Sequence, residues 1–203
     1  DPDMDFLVVP GFRPDRAMAA EDPGGFNAWV DALAEAADVD IGDYASFLDA
    51  LRKRHDAFHE AGCRVSDHGI ETACAEDYSP ADVAAAFVRV RGGSPLSAEA
   101  LRSFQSALLF EFGVMDAEKD WVQQYHLGAL RNNNSIMLEQ LGPDTGFDSI
   151  GDFTVARPLA RMLDRLHTHG RLAKTILYNL NPRDNELMAA MIGNFQDGSV
   201  SGK

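Results

Sequence analysis

The chain alternates short apolar runs with longer segments of helical periodicity, and that order constrains its fold more than any other feature. Residues 6–9 (FLVV) read as a short strand covered on both faces. Residues 24–37 then place Phe26, Trp29, Val30 and Leu33 on one helical stripe. A second helix is expected over 43–61, with Asp43 as its N-cap and Gly62 at the usual C-terminal position. A strand follows at 63–68, closed by Gly69. Ser79 and Pro80 open a helix over 79–91, which Gly92 and Gly93 break. A longer helix at 97–112 leads into a β-rich run from Trp121 that carries His126 near its end and breaks at Gly128. Residues 132–153 form a Gly/Asn/Asp-rich connection, uncommon in a compact domain unless it lines a site. A helix at 154–167, a strand at 174–177 and a helix at 184–194 complete the order. Strands alternating with helices predict a parallel sheet with crossover helices, an α/β fold.

Four strands are visible in 203 residues, whereas a closed (β/α)₈ barrel takes roughly 250 residues. The chain is therefore either a small open sheet or about half a TIM-type barrel. Position 1 is not Met, and the chain stops at Lys203 where a further strand is due. Both ends favour the half barrel, a piece of a longer protein. The 45% hydrophobic content supports a sizeable core. A formal charge of −14 argues against nucleic acid and anionic membrane as partners, but leaves room for a small anionic substrate held by local arginines. No run of eighteen apolar residues and no basic-then-apolar leader occurs. Cys63 and Cys74 read as reduced thiols of a cytoplasmic protein.

In α/β folds ligands bind at the C-terminal ends of the strands. Here those ends carry Arg13, Asp67 or His68, His126 with Arg131, and Tyr178 with Asn179. Asp67 and His68 are adjacent on a strand and point to opposite sides, so at most one is expected to face the site and the other to be a hydrogen-bonded structural residue. Gln123, Gln124 and Tyr125 before His126 form a polar series that needs partners at the end of a buried strand. His126 itself is either a site residue or a satisfied core histidine. Two other histidine pairs have metal-like spacing. His167 and His169 end a helix, where cationic histidines are ordinary. His55 and His59 stand four apart on a helix but lack the glutamate-bearing pattern of zinc proteases. Both pairs read as structural. Asn133 begins a glycosylation sequon that carries no weight without a signal peptide.

Several long motifs resemble uronate isomerase. They are GFRPD at 11–15, FHEAGCRVSDHG at 58–69, HLGALRNNN at 126–134, LGPDTGFDSIG at 141–151, TILYNLNP at 175–182 and MIGNFQ at 191–196. The match runs through essentially the whole chain in order. Gly11, where the family often has Thr, and Tyr125, where it often has Leu, are conservative departures.

The resemblance implies a metal-bearing (β/α)₈ barrel of the amidohydrolase superfamily. It implies aldose–ketose isomerisation of hexuronates in bacterial hexuronate breakdown, D-glucuronate to D-fructuronate and D-galacturonate to D-tagaturonate. Arg13 and Arg131 would hold substrate oxygens, including the carboxylate. Asp67 and His126 would lie in the active site, His126 beside a divalent metal, zinc in the first instance. In the family the principal metal ligands are an H-x-H pair on the first strand and an Asp on the last strand, and neither matches a residue of this chain. The chain alone is therefore expected to be an incomplete isomerase, and half a barrel, with open sheet edges and apolar helix faces, to self-associate as a homo-oligomer. The alternatives are a hydrolase of a sugar lactone or amide on the same scaffold, and a non-catalytic protein that binds a sugar acid.

Overall fold

The computed structural model describes residues 6–196. In chain order its elements are α1 (Pro23–Ala37), α2 (Tyr44–Glu60), β1 (Val65–Ile70), α3 (Pro80–Arg91), α4 (Ala98–Glu118), β2 (Val122–Leu127), β3 (Ala129–Leu130), α5 (Ser135–Leu141), β4 (Ser149–Ile150), α6 (Ala156–Thr168), β5 (Lys174–Asn179) and α7 (Asn185–Ile192). β1, β2 and β5 form one parallel sheet in that order, and β3 pairs antiparallel with β4. The expected α/β class holds. The position where a further strand is due, beside Lys203, lies outside the described residues.

The helix starts follow local chemistry. Asp43 accepts from the Ser46 amide at 2.8 Å, while the Ser46 hydroxyl receives the Asp43 amide at 3.0 Å, a reciprocal cap on α2. Ser79 caps α3 with Pro80 in its first turn, and Ser97 caps α4. Gly62, beyond α2, has φ +92°, a conformation that favours glycine. Phe26, Phe47, Phe87 and Phe104, one from each of α1 to α4, pack ring against ring in the helical core, with Phe47 stacked on Phe87 at 5.0 Å.

Three expectations need correction. Residues 6–9 are not a covered strand: Phe6, Leu7 and Val8 are exposed, and the pairing with β1 is a single bridge between Phe12 and Ser66. Pro10 and Pro14 flank residues 11–13 and cannot donate to a ladder, so Phe12 alone both donates to Val65 O and accepts from the Asp67 amide. The second strand does not close at Gly69, because Gly69 and Ile70 continue the register opposite His126 and Leu127. The helix expected to end near 112 runs on to Glu118, with Gly113 inside it. Two smaller differences concern the 132–153 connection, which carries α5 and the β3–β4 hairpin, and the last strand, which extends to Asn179.

The sheet has two unlike faces. Ser66, His68, Gln123, Tyr125 and Leu127 point to the helix-covered side and are buried. Tyr125 Oη donates to Gln123 Oε1 at 3.0 Å and Gln123 Nε2 donates to Thr175 Oγ1 at 2.7 Å, while Ser66 donates to Asp116 and His68 turns Nδ1 to Asp15. Asp67, Gly69, Gln124, His126, Ile176 and Tyr178 point the other way, and His126, Ile176 and Tyr178 are exposed. No helix of the described residues is long and apolar enough to cross a membrane.

Candidate active site

The open face gathers polar groups where β1, β2 and β5 end. In register, Gly69, His126 and Tyr178 stand side by side on the three strands. The His126 and Tyr178 rings stack at 4.2 Å with planes 1° apart. Asp67 Oδ1 lies 2.6 Å from His126 Nδ1, and Asp67 Oδ2 lies 3.3 Å from Arg13 Nη1. A carboxylate can only accept, so His126 Nδ1 carries the proton and Nε2 is left free on an exposed ring. His126 is thus not a satisfied core histidine: its ring is exposed on the open face of the sheet.

Arg13 reaches this point over Gly69. A Cβ at position 69 would collide with Arg13 Nη2 and would sit 3.7 Å from Arg131 Nη2, so two guanidiniums converge where that side chain is missing. Gly128, with φ +97°, turns the chain out of β2 toward Arg131. Asp148 then fixes that turn, accepting from Arg131 Nη1 at 2.8 Å and from the Asn132 amide at 2.9 Å. Asp144 lies 3.4 Å from the same Nη1. The connection over 132–153 thus braces Arg131 through Asp148 and Asp144. A cleft of about 340 Å³ opens beside these groups, lined by His126, Arg131, Tyr178, Asn179 and neighbouring apolar residues.

His68 lies on the opposite face, fully buried, with Nδ1 3.0 Å from Asp15 Oδ1. Asp67 is the member of the adjacent pair that turns to the open face, and His68 is the buried, hydrogen-bonded one, as strand alternation requires. Asp15 Oδ2 also accepts from the Gly69 amide at 2.8 Å. Burial pushes the Asp15 carboxyl pKa up, but the hydrogen bond and charge interaction with His68, and the bonds from Gly69 and Arg13, outweigh it and hold it below the ordinary value.

Asn179 is structural: its Nδ2 donates to Asn181 O and Asn185 Oδ1, joining β5 to α7. The four-apart pair on α2 packs on Trp121. His55 stacks on the indole at 3.9 Å with Nε2 against Asp116, and His59 Nδ1 accepts from Trp121 Nε1 at 2.9 Å. His169 Nδ1 lies 2.7 Å from Arg165 O at the end of α6. Cys63 and Cys74 are free thiols. Among the described residues no three His, Cys, Asp or Glu side chains are grouped as a metal ion would need. Asp15 and Asp148 were given no role by sequence reasoning, and Tyr178 was placed at a strand end but not beside His126. The even spacing of Tyr178 along its strand could have placed it beside His126, but only once the register was known.

The glucuronate isomerase family model matches residues 1–203. The uronate isomerase of Bacteroides thetaiotaomicron is 55% identical over 200 residues, covering 98% of this chain and 43% of that protein. The uronate isomerase of Cellvibrio japonicus is 54% identical over 196 residues, covering 97% and 42%. Among solved structures, uronate isomerase from Thermotoga maritima superposes with a TM-score of 0.85 at 30% identity, over 91% of this chain and 40% of that one. Glucuronate isomerase from Caulobacter crescentus gives 0.77 at 31% identity, over 87% and 36%. The chain spans less than half the length of the curated relatives it matches. By motif order, by family model and by structure, the chain belongs to the glucuronate isomerase family.

Proposed function

We propose that this chain supplies the Arg13–Asp67–His126–Arg131 part of the active site of a hexuronate aldose–ketose isomerase. The reaction converts D-glucuronate to D-fructuronate and D-galacturonate to D-tagaturonate. The observation that carries this reading is the convergence of the Arg13 and Arg131 guanidiniums at Gly69, beside the Asp67–His126 pair. A planar guanidinium suits a planar carboxylate bidentately, and two of them at one glycine suit an acidic sugar. Asp67 and His126 lie at the same strand ends, where a group must move a proton between C2 and C1.

The three parallel strands, covered by helices on one face and bearing the site on the other, support an arc of a (β/α)₈ barrel of the amidohydrolase kind. We read the chain as the central portion of that barrel, in a cytoplasmic enzyme, with the remaining strands supplied from outside it. His126 fits a divalent metal, zinc in the first instance, as a single ligand: Asp67 holds Nδ1 and aims Nε2 outward, the usual arrangement behind a metal-bound imidazole. Such a metal, when bound, polarises a carbonyl or hydroxyl oxygen of the sugar. Arg13 and Arg131 meanwhile bind and orient the carboxylate. The chain by itself is expected to bind zinc far more weakly than a complete enzyme and, with its sheet face open, to self-associate in solution.

The test uses the longest native polypeptide that carries this sequence, incubated in turn with D-glucuronate and with D-galacturonate, with a divalent metal in D₂O, and followed by proton NMR. Ketose with deuterium at the exchanged carbon supports proton transfer that meets solvent. No ketose from either uronate overturns the isomerase reading.

A further inference from the structure

His68 is an unusual residue to bury. It is fully enclosed, its ring lies near-parallel to Phe112 at 5.5 Å and Tyr125 at 5.4 Å, and its Nε2 has no hydrogen-bond partner. An apolar ring would fill the space between two aromatics without leaving a nitrogen unsatisfied. The one polar engagement of the imidazole is Nδ1 with Asp15 Oδ1. Asp15 in turn uses Oδ2 to accept from the Gly69 amide and, at 3.3 Å, from Arg13 Nε.

Arg13 is therefore held on two sides from the same three-residue stretch of β1, Asp67 to Gly69. Asp67 takes Nη1 directly on the open face. His68 acts from the buried face through Asp15, which takes Nε. What remains unpaired is the Nη2 side, lying over Gly69 and toward Arg131. A long side chain that is half exposed loses much rotamer freedom when it is fixed in this way, and a group pre-fixed before the ligand arrives binds it at lower entropic cost.

We infer that Asp15 and His68 are a positioning pair, a buried imidazole–carboxylate relay that fixes the Arg13 guanidinium for the carboxylate of the sugar acid. The inference rests on the hexuronate reading above. The pair touches no substrate. Its effect is on how tightly the acid is held, not on the proton transfer.

The experiment measures steady-state kinetics with D-glucuronate in the longest native polypeptide carrying this sequence, for His68→Phe, His68→Asn and Asp15→Ala, with a thermal melt of each. Asn places an amide donor near the position of Nδ1, whereas Phe keeps the stacking and removes the donor. His68→Phe is expected to raise KM about tenfold while kcat changes by less than about threefold, the pattern of lost uniform binding. His68→Asn should recover most of the KM, and Asp15→Ala should match His68→Phe. A merely structural role would lower the melting point without splitting KM from kcat. If His68→Phe does not fold, Asp15→Ala decides alone. A KM within about twofold of the parent in a cooperatively melting variant overturns the inference while leaving the isomerase intact. A parent that converts no uronate overturns the functional reading and this inference with it.

Discussion

Asp67 on β1 reaches past its register partner Gln124 to His126, two residues further along β2, and meets its Nδ1 at 2.6 Å. The contact joins two strand ends and leaves Nε2 as the only uncommitted nitrogen of the ring. Because the ring is otherwise held only by stacking on Tyr178, its orientation depends on this one carboxylate. Asp67→Ala is expected to lower kcat/KM by about 10- to 100-fold, the range for partners that orient an active imidazole. Asp67→Asn, which can still accept from Nδ1, should lose less. Steady-state rates of the two variants check this, and an Asp67→Ala enzyme with unaltered kcat/KM would contradict it.

Gly69 makes room for Arg13, so its replacement is expected to act on binding of the acid before it acts on the fold. Its backbone is ordinary, but an added Cβ meets Arg13 Nη2. Arg13 is half exposed and can swing away, so Gly69→Ala should fold with a melting point close to the parent's. The displaced guanidinium then costs affinity for the acid, and KM for D-glucuronate is expected to rise by at least about tenfold. Inhibition by a neutral sugar alcohol should change much less than inhibition by a sugar acid. Equal changes in both would show that the loss is general.

What the sequence revealed divides along physical lines. Helix starts were legible because Asp43, Ser79 and Pro80 act on backbone groups within three residues of themselves. Arg13, Asp67, His126 and Arg131 were each placed at a strand end, and the structure brings all four to one face. The run at 6–9 misled because an apolar string reports burial only if something covers it, and Pro10 and Pro14 limit pairing to Phe12. The helix expected over 97–112 erred in the opposite sense, since it continues through Gly113 to Glu118. Asp15 and Asp148 could not be assigned, because their partners lie 53 and 17 residues away in sequence and no local pattern reports that proximity.

Gly113 marks where α4 passes close to α6. A Cβ there would come within 2.7 and 2.8 Å of the two Leu166 methyls, and Leu166 is fully buried and has little freedom to retreat. Alanine gains about 1 kcal/mol of helix propensity over glycine, whereas overpacking a tight core costs about 1–3 kcal/mol. Gly113→Ala should therefore be net destabilising by about 1 kcal/mol in urea unfolding. In a Leu166→Ala background the obstruction is gone, and the same substitution should become stabilising. A Gly113→Ala effect of the same sign and size in both backgrounds would show that the Leu166 contact is not the cause.

Asp15 gives the fold an acid sensitivity whose sign follows from its contacts. Burial raises its affinity for a proton, but His68, the Gly69 amide and Arg13 together bring the folded-state pKa below the ordinary value of 3.8. A carboxyl with a depressed pKa contributes stability that is fully present above the unfolded-state value. That contribution is lost as the pH falls through 3.8 toward the folded-state value, because the unfolded chain takes the proton first. Protonation also removes the acceptor that ties His68 and Gly69 to the loop carrying Arg13, so the loss is local to the site as well as global. Urea unfolding of the parent and of Asp15→Asn over about pH 5 to 3 checks the prediction. The parent should lose stability more steeply than the variant as the pH falls, and the two should differ most at the upper end of the range. Parallel curves would mean that Asp15 titrates alike in the folded and unfolded chains, and the relay from His68 to Arg13 would then contribute nothing to the acid limb.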